Sequence, residues 1–122
     1  MEASLKIIGQ TLVVSPVGDL DHHCASGLRE KIDKEAMREN IRNIVFDFSK
    51  VEFMDSSGIG LIIGRYKMAD ANGGAVAVCY MKDSLKRIFD ISGLKKIIQV
   101  YKSVDEALSQ LQHSREARNE LR

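Results

Sequence analysis

Short apolar segments alternate with amphipathic segments along most of this 122-residue chain, and no other feature limits its fold as much. The apolar runs have strand length, and the segments between them repeat apolar residues at three- and four-residue spacing. We predict strands over residues 5–8, 11–17, 44–48, 75–80 and 97–100, and helices over residues 25–36, 58–71, 85–91 and 104–111. A strand, a helix and a second strand in succession require parallel pairing with a right-handed crossover. The sequence therefore predicts a single α/β domain with a mixed, mostly parallel β-sheet, an antiparallel first strand and about four helices.

Two loops are predicted between these elements. Pro16 is expected at a strand end or bulge because proline cannot donate to a β-ladder, and Gly18 is expected to open a loop over residues 19–23. A second loop is expected to run from the end of the 44–48 strand to Ser57. The domain is predicted to cover residues 1–112, with a polar tail or helix extension over 113–122.

Composition limits the class of partner. The formal charge of +1 is too small for the basic surface that nucleic-acid binding requires, so no nucleic acid partner is expected. Cys24 and Cys79 are the two cysteines, the N-terminus does not resemble a signal peptide, and no apolar run approaches the length of a membrane helix. These features predict a reduced, cytoplasmic protein that does not associate with a membrane.

The stretch from Phe53 to Gly60 is the most informative for function, because an Asp and two serines stand where a strand gives way to a helix. Asp and Ser are preferred helix caps, so the simplest interpretation is that Asp55 or Ser56 caps the helix. The alternative is a serine that is modified. Phosphate is tolerated at a helix N-terminus, where free N–H groups and the helix dipole favour negative charge.

Enzyme and metal interpretations fit the sequence poorly. The glycine spacing after Ser57 is one residue off the dinucleotide fingerprint, and no nearby lysine completes a phosphate loop. Neither Ser56 nor Ser57 has the glycine two residues before it that a nucleophile elbow needs. His22 and His23 are adjacent, and adjacent side chains diverge, so they are expected to be polar residues of a loop or first helical turn. We expect no catalytic residues, no metal and no cofactor.

Three segments together resemble the STAS domain family. They are residues 18–23, residues 53–67 with the core Met54-Asp55-Ser56-Ser57-Gly58, and residues 87–94, within a resemblance over about residues 4–112. Within the family, the similarity is to non-enzymatic antagonists of anti-sigma factors. The resemblance implies that the unphosphorylated form binds an anti-sigma factor that is also a serine kinase and so releases a sigma factor, here sigma F of sporulation. That kinase then phosphorylates the antagonist, and a PP2C-like serine phosphatase restores it.

Matching the family's motif position by position puts the phosphorylated serine at Ser56. The implied partner-binding residues are Asp21, His22, His23, Asp55, Ser56, Ser57, Gly58 and Ile59. The chain departs from the commonest family pattern at Asp19, Cys24 and Ile59, and none of these changes removes the serine. Two alternatives stay open: a STAS-like domain that binds or slowly hydrolyses a nucleoside triphosphate, and an antagonist serving a stress-response sigma factor.

Overall fold

Six strands and four helices make up the described part of the chain in a computed structural model. The structure describes residues 1–120, with the side chains of 1–112; the rest of the predicted tail lies outside the described residues. The strands are β1 Glu2–Ile8, β2 Thr11–Leu20, β3 Asn43–Asp47, β4 Val51–Met54, β5 Val76–Cys79 and β6 Gln99–Tyr101. The helices are α1 His22–Arg38, α2 Ser56–Ala71, α3 Asp83–Ile91 and α4 Val104–Glu120, with a 3-10 turn at Leu94–Lys96.

The sheet has the order β1-β2-β3-β5-β6. Strand β1 pairs with β2 in antiparallel fashion, and the other pairs are parallel, which confirms the predicted fold class. Helices α1, α2 and α3 contribute Leu28, Ile62 and Phe89 to the larger core, and α4 contributes Ala107 to a smaller second core. Because both faces are covered, the inner strands are apolar at nearly every position, as is usual for parallel sheets.

Strand β2 does not end at Pro16, and that prediction was wrong. Residues 11–14 of β2 pair with β3 and residues 18–20 pair with β4, so the proline lies in the gap between two parallel partners. On the edge of β2 that faces β3 and β4, the missing N–H of Pro16 removes no ladder hydrogen bond. On the opposite edge, Pro16 lies opposite Ala3 of β1. The irregularity in register occurs instead between Gly18 and Asp19, where Gly18 has a φ of 101°.

The predicted loop over residues 19–23 was also wrong. Asp19 and Leu20 continue β2, Asp21 caps α1, and His22 and His23 are the first two residues of that helix. The histidines are therefore first-turn polar residues, which is one of the two positions expected for them.

Strand β4 was missed, since residues 51–54 were expected to belong to a loop. The strand has four residues and pairs with the end of β2. Val51 and Met54 are buried, whereas Glu52 and Phe53 are exposed, so the segment lacks the clean alternation by which a strand is recognised. Helix α2 follows after a single residue, which brings its N-terminus next to that of α1.

Candidate functional site

Two aspartates cap the two helices that start at this end of the sheet. The Oδ1 of Asp21 accepts hydrogen bonds from the backbone N–H groups of His23 at 3.0 Å and Cys24 at 3.2 Å. The Oδ1 of Asp55 accepts one from the N–H of Ser57 at 2.8 Å. Both aspartates have extended backbone conformations, as N-cap residues do. The capping interpretation of Asp55 is confirmed.

The parallel pairing of β2 with β4 brings the caps together. Leu20 lies opposite Met54 in the register, so the residues that follow them, Asp21 and Asp55, leave the sheet side by side. The second carboxylate oxygen of Asp55, Oδ2, accepts a hydrogen bond from the backbone N–H of His22 at 3.1 Å. One carboxylate therefore joins the N-termini of both helices, and residues 33 positions apart share one surface.

The two serines have different surroundings. Ser56 is exposed, and its Oγ makes no hydrogen bond within the described residues. Ser57 is half-buried, and its Oγ lies 3.4 Å from Nδ1 of His22, a long contact in which either atom can hold the proton. Ser56 is therefore the more exposed of the two serines, and its hydroxyl is the one without an intramolecular contact within the described residues.

Gly58 and Ile59 lie beneath this surface rather than on it. A Cβ added to Gly58 would stand 2.5 Å from Cγ of Met54 and 2.9 Å from the carbonyl oxygen of Leu20, so only glycine allows α2 to approach the sheet this closely. Ile59 is 8% exposed and packs in the larger core. These two residues hold the start of α2 against the sheet and so fix the position of the exposed serine.

Hydrogen bonds to Asp21 govern its ionisation. Partial burial alone would raise its pKa, but the hydrogen bonds from Cys24 and from the backbone of His23 outweigh that effect and lower the pKa below its ordinary value. The folded structure therefore favours the ionised form of Asp21. Two further exposed carboxylates, those of Asp19 and Glu52, lie on the paired strands β2 and β4.

Phe53 is a surface residue of the motif for which no separate role was predicted. Its side chain is 53% exposed, although phenylalanine is usually buried. It lies on β4 opposite Asp19 and three residues before Ser56. The sequence contains one signal for this exposure, the position of Phe53 beside Glu52 in a short segment. That signal can be interpreted only after the segment has been recognised as a strand. We call Asp21, His22, Phe53, Asp55, Ser56 and Ser57 the cap surface.

The described residues include no group of three or more His, Cys, Asp or Glu side chains placed to hold a metal ion. Within the same part of the chain, no helix is long and apolar enough to cross a membrane.

Comparison with known proteins gives concordant matches. The model of the STAS domain family matches residues 2–107. An anti-sigma F factor antagonist of Paenibacillus polymyxa is 40% identical over 101 residues, which cover 83% of this chain and 86% of that protein. An anti-sigma-B factor antagonist of Bacillus subtilis is 34% identical over 87 residues, covering 71% of this chain and 78% of that protein. The solved structure of the anti-sigma factor antagonist SpoIIAA in its unphosphorylated form matches with a TM-score of 0.81 at 27% identity, covering 92% of this chain and 97% of that one.

Proposed function

This chain belongs to the STAS domain family, and from that premise we propose that it is an anti-sigma factor antagonist, a regulatory protein and not an enzyme, that acts in the cytoplasm. In its unphosphorylated form it binds an anti-sigma factor through the cap surface and releases the sigma factor that was held. The relatives named as antagonists support this role.

We further propose that the anti-sigma factor is a serine kinase and that it phosphorylates Ser56. The observation that carries this assignment is the contrast between the two serines: Ser56 is an exposed residue whose hydroxyl has no partner within the described residues, whereas Ser57 is half-buried and its Oγ contacts His22. A kinase must bring the hydroxyl in line with the γ-phosphate, which requires access from solvent. A PP2C-like phosphatase reverses the modification.

Phosphorylation acts on binding more than on folding in this proposal. A phosphoserine adds about −1.5 to −2 charges directly after the Asp55 carboxylate that caps the helix, on the surface where Phe53 is exposed. Two like charges about 6 Å apart repel by roughly 0.7 kcal/mol in water and about 3 kcal/mol at an effective dielectric of 20, which is closer to that of a desolvated interface. The favourable effect of the α2 dipole is about 0.3–1 kcal/mol, so the phosphate does not unfold its own helix.

Sigma F is the pathway we favour. Both sigma F and sigma B antagonists match this chain, and the sigma F antagonist of Paenibacillus polymyxa has the higher identity, 40% against 34%. The second candidate function is that of an antagonist in a stress-response sigma factor pathway, which would be phosphorylated on the same serine. The glycine spacing that suggested nucleotide binding has another explanation at Gly58, where packing against Leu20 and Met54 excludes a side chain.

The test is phosphorylation of the full chain by an anti-sigma factor kinase of the sigma F type, with ATP, followed by intact mass and peptide mapping. We expect one phosphoryl group on the wild-type chain and on Ser57→Ala, and none on Ser56→Ala. The two variants are matched because each removes one hydroxyl from the first turn of α2. Uptake by Ser56→Ala, or loss of uptake by Ser57→Ala alone, would contradict the assignment of Ser56.

Affinity for sigma F and sigma B kinases separates the two pathways. We expect the unphosphorylated chain to bind the sigma F kinase more tightly and to displace sigma F from it. Tighter binding to the sigma B kinase would instead support the stress-response role, and failure to bind either kinase would overturn the proposed antagonist function.

A further inference from the structure

A groove of about 450 Å³ runs between helices α1 and α2, starting at the cap surface. The groove is present because the residues that line it on both helices are small: Ala25 and Ser26 on α1, and Gly60 and Gly64 on α2. A Cβ added to Gly60 or Gly64 would meet no atom within 4 Å, so packing of the helices does not require these glycines. The volume lies in the range of small-molecule sites.

Two arginines form the far end of the groove. Arg29 lies seven residues along α1 from His22, and Arg65 lies eight residues along α2 from Ser57, a distance of about 11 Å at 1.5 Å per residue. Arg29 is exposed and makes no ion pair within the described residues. The positive charge of this end is therefore only partly balanced.

Arg65 is the unusual group, because the residue is 7% exposed and yet incompletely paired. Its Nε forms an ion pair with Oδ1 of Asp33 at 3.0 Å, but without hydrogen-bond geometry, and its Nη1 has no hydrogen-bond partner among the described residues. Its Nη2 donates to the sulfur of Met68, a weak acceptor, at 3.5 Å. Burial lowers the pKa of Arg65, Asp33 opposes that effect, and the positive charge of Arg29 adds to it. Asp33 balances one of the two arginine charges here, so this end of the groove keeps a net positive charge.

We propose that the groove binds a small organic anion, with its carboxylate or phosphate head between Arg29 and Arg65 and a short apolar body lying over Gly60, Gly64 and Leu61. Arginine suits this head group because its planar donors match the oxygens of carboxylate and phosphate. Leu61 and Ala25 provide the apolar contact along the body. The site is distinct from Ser56, which does not line the groove. The proposal does not depend on the antagonist function, since its test uses the full chain without a partner.

The test is a titration of the isotopically labelled full chain with hexyl phosphate and, separately, with hexanoate, followed by amide chemical shifts. Hexanol, which has the same body without the charge, is the control. We expect saturable shifts with at least one of the two anions at Ser26, Gly60 and Gly64, and none with hexanol. The anion that binds more tightly identifies the preferred head group. Absence of saturable shifts with both anions, or equal shifts with hexanol, would overturn the proposal.

Two pairs of variants locate the site. Arg29→Gln should weaken binding roughly tenfold by removing a charge-assisted contact, whereas Arg38→Gln, which removes a charge from the last turn of the same helix, should leave it unchanged. Gly64→Leu should fill the groove and abolish binding, whereas Gly27→Leu should leave binding unchanged. The two variants are matched because an added Cβ atom meets nothing within 4 Å at either glycine. Equal weakening by Arg29→Gln and Arg38→Gln, or wild-type affinity in a folded Gly64→Leu, would contradict the location.

Discussion

Asp55 accepts a hydrogen bond from the backbone N–H of His22 at 3.1 Å while it caps its own helix through the N–H of Ser57 at 2.8 Å. The same carboxylate thus satisfies one first-turn donor of α1 and one of α2. Such donors have no partner within the helix, so a residue that serves two of them couples the two helix starts. This coupling holds Asp21 and Ser56, which are distant in sequence, on one surface.

Replacing Asp55 by alanine should destabilise the domain by about 1–3 kcal/mol, because it removes a helix cap and a second hydrogen bond to α1. The free energy of unfolding from urea denaturation measures this effect. Asp83→Ala is a suitable control, since Asp83 is a first-turn residue of α3 whose exposed side chain forms an ion pair with Lys86 and, in the part of the chain that the structure describes, no other. A similar loss in both variants would show that Asp55 has no special role.

Ser56→Asp should bind the anti-sigma factor kinase more weakly than wild type and more tightly than the phosphorylated chain, because it adds one charge instead of nearly two. Its melting temperature, and that of the phosphorylated chain, should stay close to the wild-type value. Binding is measured by titration calorimetry and folding by circular dichroism. Wild-type affinity in Ser56→Asp would contradict the electrostatic account, and a large loss of helix on phosphorylation would show that the modification acts on the fold.

Gly58→Ala should destabilise the domain by about 1–3 kcal/mol, because the added methyl group collides with the backbone oxygen of Leu20 as well as with Met54. Gly60→Ala, two residues along the same helix, has open space and should be stabilising by up to about 1 kcal/mol through higher helix propensity. Thermal or urea unfolding of the pair measures both effects. Equal effects in the two variants would show that α2 can move away from the sheet at no cost.

Acid should remove the stabilisation that Asp21 provides. Its folded pKa is lowered from an ordinary value of 3.8, so its contribution is complete above that pH and disappears as the pH falls through the folded pKa. Asp21→Asn should therefore be less stable than wild type at pH 6, and the difference should shrink below about pH 3.8. Urea unfolding at a series of pH values tests this expectation. A difference that persists to low pH would mean that the ionisation of Asp21 does not contribute.

The two cysteines should react slowly and at different rates. Burial and the charge of Asp47 raise the pKa of the Cys79 thiol to about 12, so at pH 8 it should be modified only when the domain unfolds. Burial and Asp21 also raise the pKa of Cys24, which is partly exposed, so this thiol should react faster than Cys79 but more slowly than free cysteine. Modification by a disulfide reagent, with Cys24→Ser as control, measures both rates. Rapid reaction of the folded Cys24→Ser variant would contradict the burial of Cys79.

Local pattern was sufficient for most of the secondary structure. Apolar spacing predicted the four helices and five of the six strands, and the run of crossovers predicted parallel pairing. Residue type predicted a cap at Asp55 or Ser56, because an N-cap interacts with N–H groups two or three residues ahead, and the structure assigns it to Asp55. The resemblance to the STAS family also rested on short segments, residues 18–23, 53–67 and 87–94.

The tertiary structure decided the features that depend on residues far apart in sequence. Strand β4 forms because residues 51–54 pair with the end of β2 that β3 leaves unpaired. Pro16 is tolerated inside β2 because it lies between the segments that pair with β3 and β4. The hydrogen bond from His22 to Asp55 and the burial of Arg65 beside Asp33 arise from the same pairing and from the packing of α1 on α2. Periodicity and capping rules extend over only about four residues, whereas these contacts form between segments that meet only after the chain has folded.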